Sequence, residues 1–246
     1  MQLRSLSTIA LGLILLSASS AFALDLRELI REIEDQHTGR SSRAVMNMQV
    51  ETSHWERSLV MNAVSLGRDH FLIRIQEPPK EKGVATLKVE QEVWNYLPKV
   101  DRVIKVPPSM MGGSWMGSHI TNNDLVKAAK IDQDYDFALL GETDTTWRIN
   151  CTPKPEAAVV WGRIVYLVEK ARRVPLTVDY FDEDGIKVRT ITFDEVKEID
   201  GRQVPMLMAV QPLEKPQEST VMHYRELEFG VPVEESFFSL RNLRQR

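Results

Sequence analysis

The feature that most constrains this chain is a long succession of short segments in which β-branched and aromatic residues recur at every second position. Such alternation is typical of strands that pack one face against a core. The connections between most of these segments are short, and none has the pattern of a long helical crossover between parallel strands. We therefore predict a mainly antiparallel sheet. The predicted strands lie near residues 44–53, 57–66, 70–77, 84–90, 92–97, 101–106, 135–142, 145–151, 162–170, 174–182, 186–196, 203–211 and 219–229.

Two Asp-Gly dipeptides, Asp184-Gly185 and Asp200-Gly201, mark tight turns between consecutive predicted strands. A type I′ hairpin turn needs two residues at positive φ, and Asp-Gly tolerates that conformation. The strands on either side of each turn are therefore expected to be antiparallel neighbours. Because flat sheets of this width are unfavourable, the sheet should curl, either as an open sheet around a helix or as a closed barrel.

One amphipathic helix is predicted near residues 25–39, before the first strand. Asp25 and Glu28 have the spacing of a capping box, and Gly39 is a residue that commonly follows a helix end. The apolar positions recur at helical spacing, so one face of the helix should pack against the sheet. These positions are Leu26, Leu29, Ile30 and Ile33.

The first 23 residues have the pattern of a secretory signal peptide. Arg4 precedes an apolar run that ends in Ala21-Phe22-Ala23, a small-x-small cleavage pattern. We expect cleavage after Ala23 and a single periplasmic domain over residues 24–246. Leu24 would then occupy the position where a bacterial lipoprotein carries its acylated Cys, so we expect no lipid anchor of that kind.

Composition argues against several classes of function. The chain carries 31 Lys and Arg against 35 Asp and Glu, a net charge of -4, so a nucleic-acid partner is not expected. The five histidines show no close metal-binding spacing, and neither a phosphate-binding glycine motif nor a nucleophile elbow is present. Cys151 is the only cysteine, and its alternating neighbours predict a buried strand position. We therefore expect no catalytic residue, no metal and no cofactor.

Methionines are concentrated in the predicted strands. Met46 with Met48, and Met206 with Met208, are two residues apart, so each pair should share one face of its strand. Unbranched, polarizable thioether side chains suit a surface that must conform to variable apolar ligands. The alternative is that they fill an ordinary core.

A second unusual segment runs from residue 107 to residue 117, where bulky apolar side chains alternate with glycines. Such a loop is conformationally free, yet it carries side chains that need an apolar surface to cover. Together with a short helix predicted near 124–130, it forms a predicted lid over residues 107–130. The alternative is a glycine-rich connection packed permanently into the core. The predicted lid side chains are Met110, Met111, Trp115, Met116 and Leu125.

The order of these features resembles one known family. It comprises the signal peptide, the helix, the strands, and then Trp94-Asn95-Tyr96-Leu97-Pro98, Arg102, residues 110–118, Asp124 and Phe237-Phe238. This order is similar to that of the outer membrane lipoprotein-sorting proteins, which include the periplasmic lipoprotein carrier and its outer-membrane receptor (LolA/LolB-like). The resemblance covers nearly the whole mature chain.

The resemblance implies an α+β fold that is mainly antiparallel, an unclosed curved barrel with helices forming a lid over an apolar cavity. It implies no catalysis. Trp94 and Tyr96 match a Trp-x-Tyr strand of the carriers, and Arg68 is the candidate for their lid-holding arginine. With the methionines, the expected lipid-binding residues are Met46, Met48, Met61, Phe71, Trp94, Tyr96, Met206, Met208 and Met222.

The expected function is that of a monomeric periplasmic carrier, which binds acyl chains of lipoproteins or free lipids and moves them towards the outer membrane. Each buried methylene is worth about 0.8 kcal/mol, so acyl chains cross water only when they are sheltered. The alternative is an interaction partner of an inner-membrane, resistance-nodulation-type lipid exporter, docked through the glycine-rich loop. The sequence leaves open which sheet face lines the cavity, because residues 59–64 are apolar on both sides.

Overall fold

A computed structural model describes residues 24–127 and 130–245, and the predicted signal peptide lies outside the described residues. Within them, thirteen strands form one antiparallel sheet. The strands are β1 (Ser41–Glu51), β2 (Glu56–Leu66), β3 (His70–Glu77), β4 (Ala85–Val89), β5 (Glu92–Leu97), β6 (Arg102–Lys105), β7 (Tyr135–Glu142), β8 (Thr146–Pro153), β9 (Arg163–Glu169), β10 (Val174–Phe181), β11 (Lys187–Ile199), β12 (Arg202–Pro212) and β13 (Ser219–Phe229).

The sheet consists of two meanders joined in the middle. Strands β1 to β6 follow one another outward on one side, β13 back to β7 follow on the other, and β1 pairs with β13 at the centre. The outermost strands, β6 and β7, are not paired with each other in the described sheet, so it is unclosed. The predicted unclosed antiparallel architecture is confirmed, and each predicted strand is present within three residues of its expected bounds.

Local sequence signals account for several element ends. The side chain of Asp25 accepts hydrogen bonds from the backbone N–H groups of Arg27 (3.0 Å) and Glu28 (3.1 Å), and so caps helix α1 (Leu26–Glu34). The helix ends five residues before Gly39, earlier than predicted. Asp200 and Gly201 have φ values of 49° and 75°, the two positive angles that a type I′ turn between β11 and β12 requires.

The connection from β6 to β7 carries two short helices, α2 (Asn122–Lys127) and α3 (Ile131–Asp134). Thr121 and Asp124 cap α2 reciprocally, since each backbone N–H donates to the other's side chain, at 2.8 and 3.1 Å. The predicted helix near 124–130 therefore begins two residues earlier and is followed by a second helix. No helix among the described residues has both the length and the apolar composition that crossing a membrane requires.

The sheet packs an apolar cluster on each face. The larger cluster lies on the concave face, beneath α1 and residues 115–126 and 131, and includes Leu29, Ile30 and Trp115. The smaller cluster lies on the other face, where β3 to β5 pack against helix α4 (Leu240–Leu243) and Phe238. The larger cluster surrounds a cavity.

Candidate functional site

A cavity of about 340 Å³ lies between the concave face of the sheet, helix α1 and two segments, residues 115–125 and 131–135. Side chains from both meanders line it, because successive inward positions of neighbouring strands face the same interior. Its surface is mainly apolar. The apolar lining includes Ala44, Met46, Ala63, Phe71, Ile73, Trp115, Ile120, Leu125, Ile131, Ile164, Val178, Ile191, Phe193, Met208 and Met222.

The structure brings four of the predicted lipid-binding residues together at this cavity: Met46, Phe71, Met208 and Met222. They come from β1, β3, β12 and β13, so residues far apart in the chain meet in one lining. Met48 and Met61 belong to the same apolar cluster, but they are fully buried in its packed part and do not line the cavity.

Three predicted residues lie away from the cavity. Met206 is buried, yet it is outside the lining. Trp94 and Tyr96 belong to the smaller cluster, on the opposite face of the sheet, where the Tyr96 hydroxyl donates to Asp101 at 2.9 Å. The register of β4 and β5 explains this orientation. Trp94 pairs with Leu87 and Tyr96 with Ala85 on the outer face, whereas Thr86 and Lys88 of β4 face inward. Trp94 and Tyr96 therefore leave the set of candidate lining residues.

Of the five predicted lid side chains, two line the cavity and three do not. Trp115 is 1% exposed and Leu125 half-buried, and both line the cavity; the Trp115 indole N–H donates to Thr86 Oγ1 at 3.0 Å. Met111 and Met116 are half-buried and do not line the cavity, and Met116 packs on the larger cluster. Met110 is 62% exposed and points away from the apolar interior. The inner part of the segment thus covers the cavity, while its outer loop does not.

Arg68 ties the covering segment to helix α1. Its guanidinium lies 2.9 Å from Asp35, the C-cap of α1, and 3.0 Å from Asp132 of α3. The arginine itself lines the cavity from the turn between β2 and β3. It therefore links two of the elements that border the cavity, and its role in holding a lid stays a prediction.

A second ion pair joins helix α2 to strand β11, in the meander formed by β7 to β13. Arg189 of β11 makes a bidentate ion pair with Asp124, at 2.7 and 3.0 Å; the arginine is buried and the aspartate is half-buried. The guanidinium also lies over the rings of Tyr180 (4.1 Å) and Trp161 (4.6 Å). Burial alone would raise the pKa of Asp124, but the nearby guanidinium outweighs it and the pKa is lowered. Sequence reasoning missed Arg189, although a charged residue at an inward position of an apolar strand is a usable signal.

The end of the cavity beside the C-terminus of α1 is polar. Glu34 lines it, and its Oε1 accepts a hydrogen bond from the hydroxyl of Tyr166 at 2.8 Å. Burial raises the pKa of Glu34 to about 7, against the lowering effects of Tyr166 and Arg68. The neighbouring His37 is enclosed, and burial lowers its pKa, so the ring is neutral. Sequence reasoning missed Glu34 because helix α1 is amphipathic and its acidic residues resemble a solvated face.

The described residues contain no group of three His, Cys, Asp or Glu side chains arranged to hold a metal ion. Cys151 is fully buried, and burial raises the pKa of its thiol, which suppresses the reactive thiolate. What the cavity offers is apolar surface, two partly buried ion pairs that fasten its cover, and one polar end. This arrangement suits binding of an apolar or amphiphilic molecule.

Solved structures with this fold include the following three. A domain described as an outer membrane lipoprotein-sorting protein, from Vibrio parahaemolyticus, is 23% identical, with a TM-score of 0.76 over 89% of this chain and 98% of its own. A DUF1329 family protein from Desulfovibrio piger is 23% identical, with a TM-score of 0.78 over 88% and 97%. A LolA superfamily protein from Nitrosomonas europaea is 17% identical, with a TM-score of 0.74 over 89% and 100%. At these identities the likeness establishes the fold.

A family model described as that of an uncharacterized protein matches residues 67–245, most of the chain. The chain belongs to the DUF1329 family. Within that family it has the fold of the LolA superfamily, so the predicted relationship to outer membrane lipoprotein-sorting proteins is confirmed. No curated protein matches the chain.

Proposed function

We propose that this DUF1329 protein is a monomeric periplasmic carrier that binds acyl chains of lipoproteins or free lipids and moves them towards the outer membrane. The observation that carries the proposal is an apolar cavity whose covering segment is fastened by two ion pairs, Arg68 with Asp132 and Arg189 with Asp124. Side chains can exchange ion-pair partners without unfolding a sheet. A cover held in this way can therefore open and close.

The size of the cavity bears on how much cargo it takes. A volume of 340 Å³ lies near the lower end of the roughly 300–1,000 Å³ that is typical of ligand pockets. The closed state thus has room for a short apolar ligand or part of one long chain, and larger cargo requires the cover to move. Three flexible methionines in the lining, Met46, Met208 and Met222, allow the surface to adapt to chains of different shape.

Release also matters for a carrier. Tight polar recognition would slow unloading, whereas apolar contact gives affinity in proportion to the buried chain, at about 0.8 kcal/mol per methylene. A mainly apolar cavity fits this requirement. The proposal is for a binding protein and not for an enzyme, and the suppressed reactivity of the buried Cys151 thiol is consistent with it.

The test uses the uncharged fluorescent probe N-phenyl-1-naphthylamine. The double variant Met208→Gln, Met222→Gln places two amides on the cavity wall, and we expect its Kd to rise about tenfold, since burying an amide without a partner costs roughly 1–3 kcal/mol. The matched control is Met110→Gln, which alters an exposed methionine and should leave the Kd unchanged. Unchanged binding in the double variant, together with repeated purification from membrane-containing cells without any acyl ligand in native mass spectrometry, would refute the proposal.

A second candidate function is docking to an inner-membrane lipid exporter through the glycine-rich loop, in which the side chain of Met110 is 62% exposed. Two photo-crosslinkers separate the two functions, one at position 110 in the exposed loop and one at position 115 on the cavity lining. Adducts to a membrane protein support docking, whereas adducts to lipid support contact with cargo.

A further inference from the structure

One end of the cavity carries polar groups, with which a purely apolar ligand could form no hydrogen bond. We define this end by Glu34, Gln36, His37, Ser42, Ser65 and Arg68, all of which line the cavity. They lie where helix α1 leads into β1 and where β2 turns into β3. A ligand that fills the cavity therefore meets apolar side chains along most of its length and polar groups at one end.

Most of these groups already have partners within the protein. The hydroxyls of Ser42 and Ser65 are 2.7 Å apart, and the Gln36 side chain donates to the Arg173 carbonyl at 3.0 Å. His37 Nε2 lies 2.7 Å from the Pro205 carbonyl, which can only accept, so this nitrogen carries the proton of the neutral ring. These contacts fix the shape of the polar end and add no charge to it.

Glu34 differs from its neighbours. Its Oε1 accepts the hydrogen bond from Tyr166, while Oε2 has no hydrogen-bond partner among the described residues. Because Glu34 contributes to the cavity surface, this second oxygen is available to a ligand. A carboxyl group in this position pairs with a hydroxyl or an amide N–H, and it repels an anion.

Among the described residues, no Arg or Lys side chain of the cavity lining is free of a carboxylate partner and able to compensate for that repulsion. Arg68 and Arg189 are the only Arg or Lys side chains among the described residues that line the cavity, and each is committed to carboxylates: Arg68 to Asp35 and Asp132, Arg189 to Asp124. The charges that act on Glu34 are Arg68, Asp35 and Asp132, so the acidic groups at this end outnumber the basic one.

Building on the carrier function proposed above, we propose that the cavity selects amphiphiles whose head is uncharged and carries a hydroxyl or an amide N–H. It discriminates against fatty-acid carboxylates and phosphate headgroups with the same acyl chain. Both an acylglycerol and the N-acylated, glyceride-bearing terminus of a lipoprotein have such a head.

The experiment compares two ligands with one sixteen-carbon acyl chain, 1-monopalmitoylglycerol and palmitate, as competitors of N-phenyl-1-naphthylamine at pH 8 and below their aggregation concentrations. We expect the monoacylglycerol to bind at least about tenfold more tightly, since like charges a few ångströms apart in a partly buried site cost at least that much. Equal binding, or tighter binding of palmitate, would overturn the inference and leave the carrier function standing. Failure of both ligands and the probe to bind would refute the carrier function itself.

The variant Glu34→Gln keeps the size and hydrogen-bonding capacity of the side chain and removes its charge. We expect it to reduce the preference to about threefold or less, mainly by tightening palmitate binding. The control is Glu32→Gln on the exposed side of the same helix, which should leave the preference at its wild-type value. A preference that persists in Glu34→Gln would show that this carboxyl is not the selecting group. The ligand comparison on the wild-type protein decides the selectivity even if the variant does not fold.

A synthetic triacylated cysteinyl peptide distinguishes the two sources of such a head. Tighter competition by the peptide than by the monoacylglycerol assigns the site to lipoproteins, and the reverse order assigns it to free neutral lipids. Both results support an uncharged head. Weaker competition than palmitate by both compounds would contradict it.

Discussion

The two apolar clusters of this sheet are built from the same alternating strands, yet they differ in what they enclose. On the outer face, Leu72, Leu87 and Tyr96 pack directly against Phe238 and Leu243, and all five side chains are buried. On the concave face, the lining is interrupted by Glu34, Arg68 and other polar groups and surrounds a cavity. Aliphatic and aromatic side chains alone therefore do not mark the face that carries the cavity. Polar groups held inside an apolar surface do.

The largest expected effect comes from the outer cluster. Phe238→Ala removes a ring that is 6% exposed, and we expect a loss of about 4 kcal/mol in the free energy of unfolding, because core Phe→Ala changes typically cost about 3–5 kcal/mol. Urea unfolding measures this loss. Affinity for N-phenyl-1-naphthylamine in the folded variant should stay within about twofold of wild type, since a twofold change is only about 0.4 kcal/mol. A tenfold weakening would show that the two faces are not independent.

The next largest effect concerns the ion pair that joins helix α2 of the cover to strand β11. Asp124→Asn leaves the buried guanidinium of Arg189 without its counter-charge, and we expect a loss of about 3 kcal/mol in the free energy of unfolding. Glu142→Gln is the matched control, because Glu142 pairs with Lys170 at 2.6 Å on the exposed surface. The control should change stability far less. Equal effects of the two variants would mean that the Asp124 tie is no more than a surface contact.

The smallest effect depends on pH. The pKa of Glu34 is about 7 in the folded protein against an ordinary 4.5, so between these values the folded state holds more protons than the unfolded state. Stability from this group therefore falls as pH rises through that window, by at most about 3 kcal/mol and with about 2 kcal/mol expected for a partly solvated cavity wall. Subtracting the curve of Glu34→Gln from that of wild type isolates the effect. A flat difference between pH 4.5 and 7.5 would contradict a raised pKa.

Much of the fold could be predicted because its signals are local. Alternation located the strands, Asp25 marked the start of α1, and Asp200-Gly201 identified a hairpin from two residues. The cavity depends on contacts between distant positions and could be predicted only in part. Tyr166 and Glu34 are 132 residues apart, and Arg189 and Asp124 are 65 apart.

The other differences between prediction and structure arise because the sequence does not show which face of the sheet a side chain is on. β2 is apolar on both sides, because its inner side faces the larger cluster and Val64 and Leu66 contact the smaller one, so its pattern indicates no direction. Near the end of the sheet, helix α4 covers the outer face. Trp94 and Tyr96 of β5 lie under it, so from the sequence pattern they resemble residues that line an interior. A residue that needs a distant helix to bury it cannot be assigned to a face from its own strand.

The unpaired rims of the sheet, β6 and β7, have a mechanical consequence. In a closed barrel, strand number and stagger set the bore, so widening it means breaking a ladder. Here the two rims can spread apart by a small change of twist at each strand pair, with every existing ladder intact. If the proposed carrier function holds, such spreading of β6 from β7 would enlarge the cavity to fit a larger ligand.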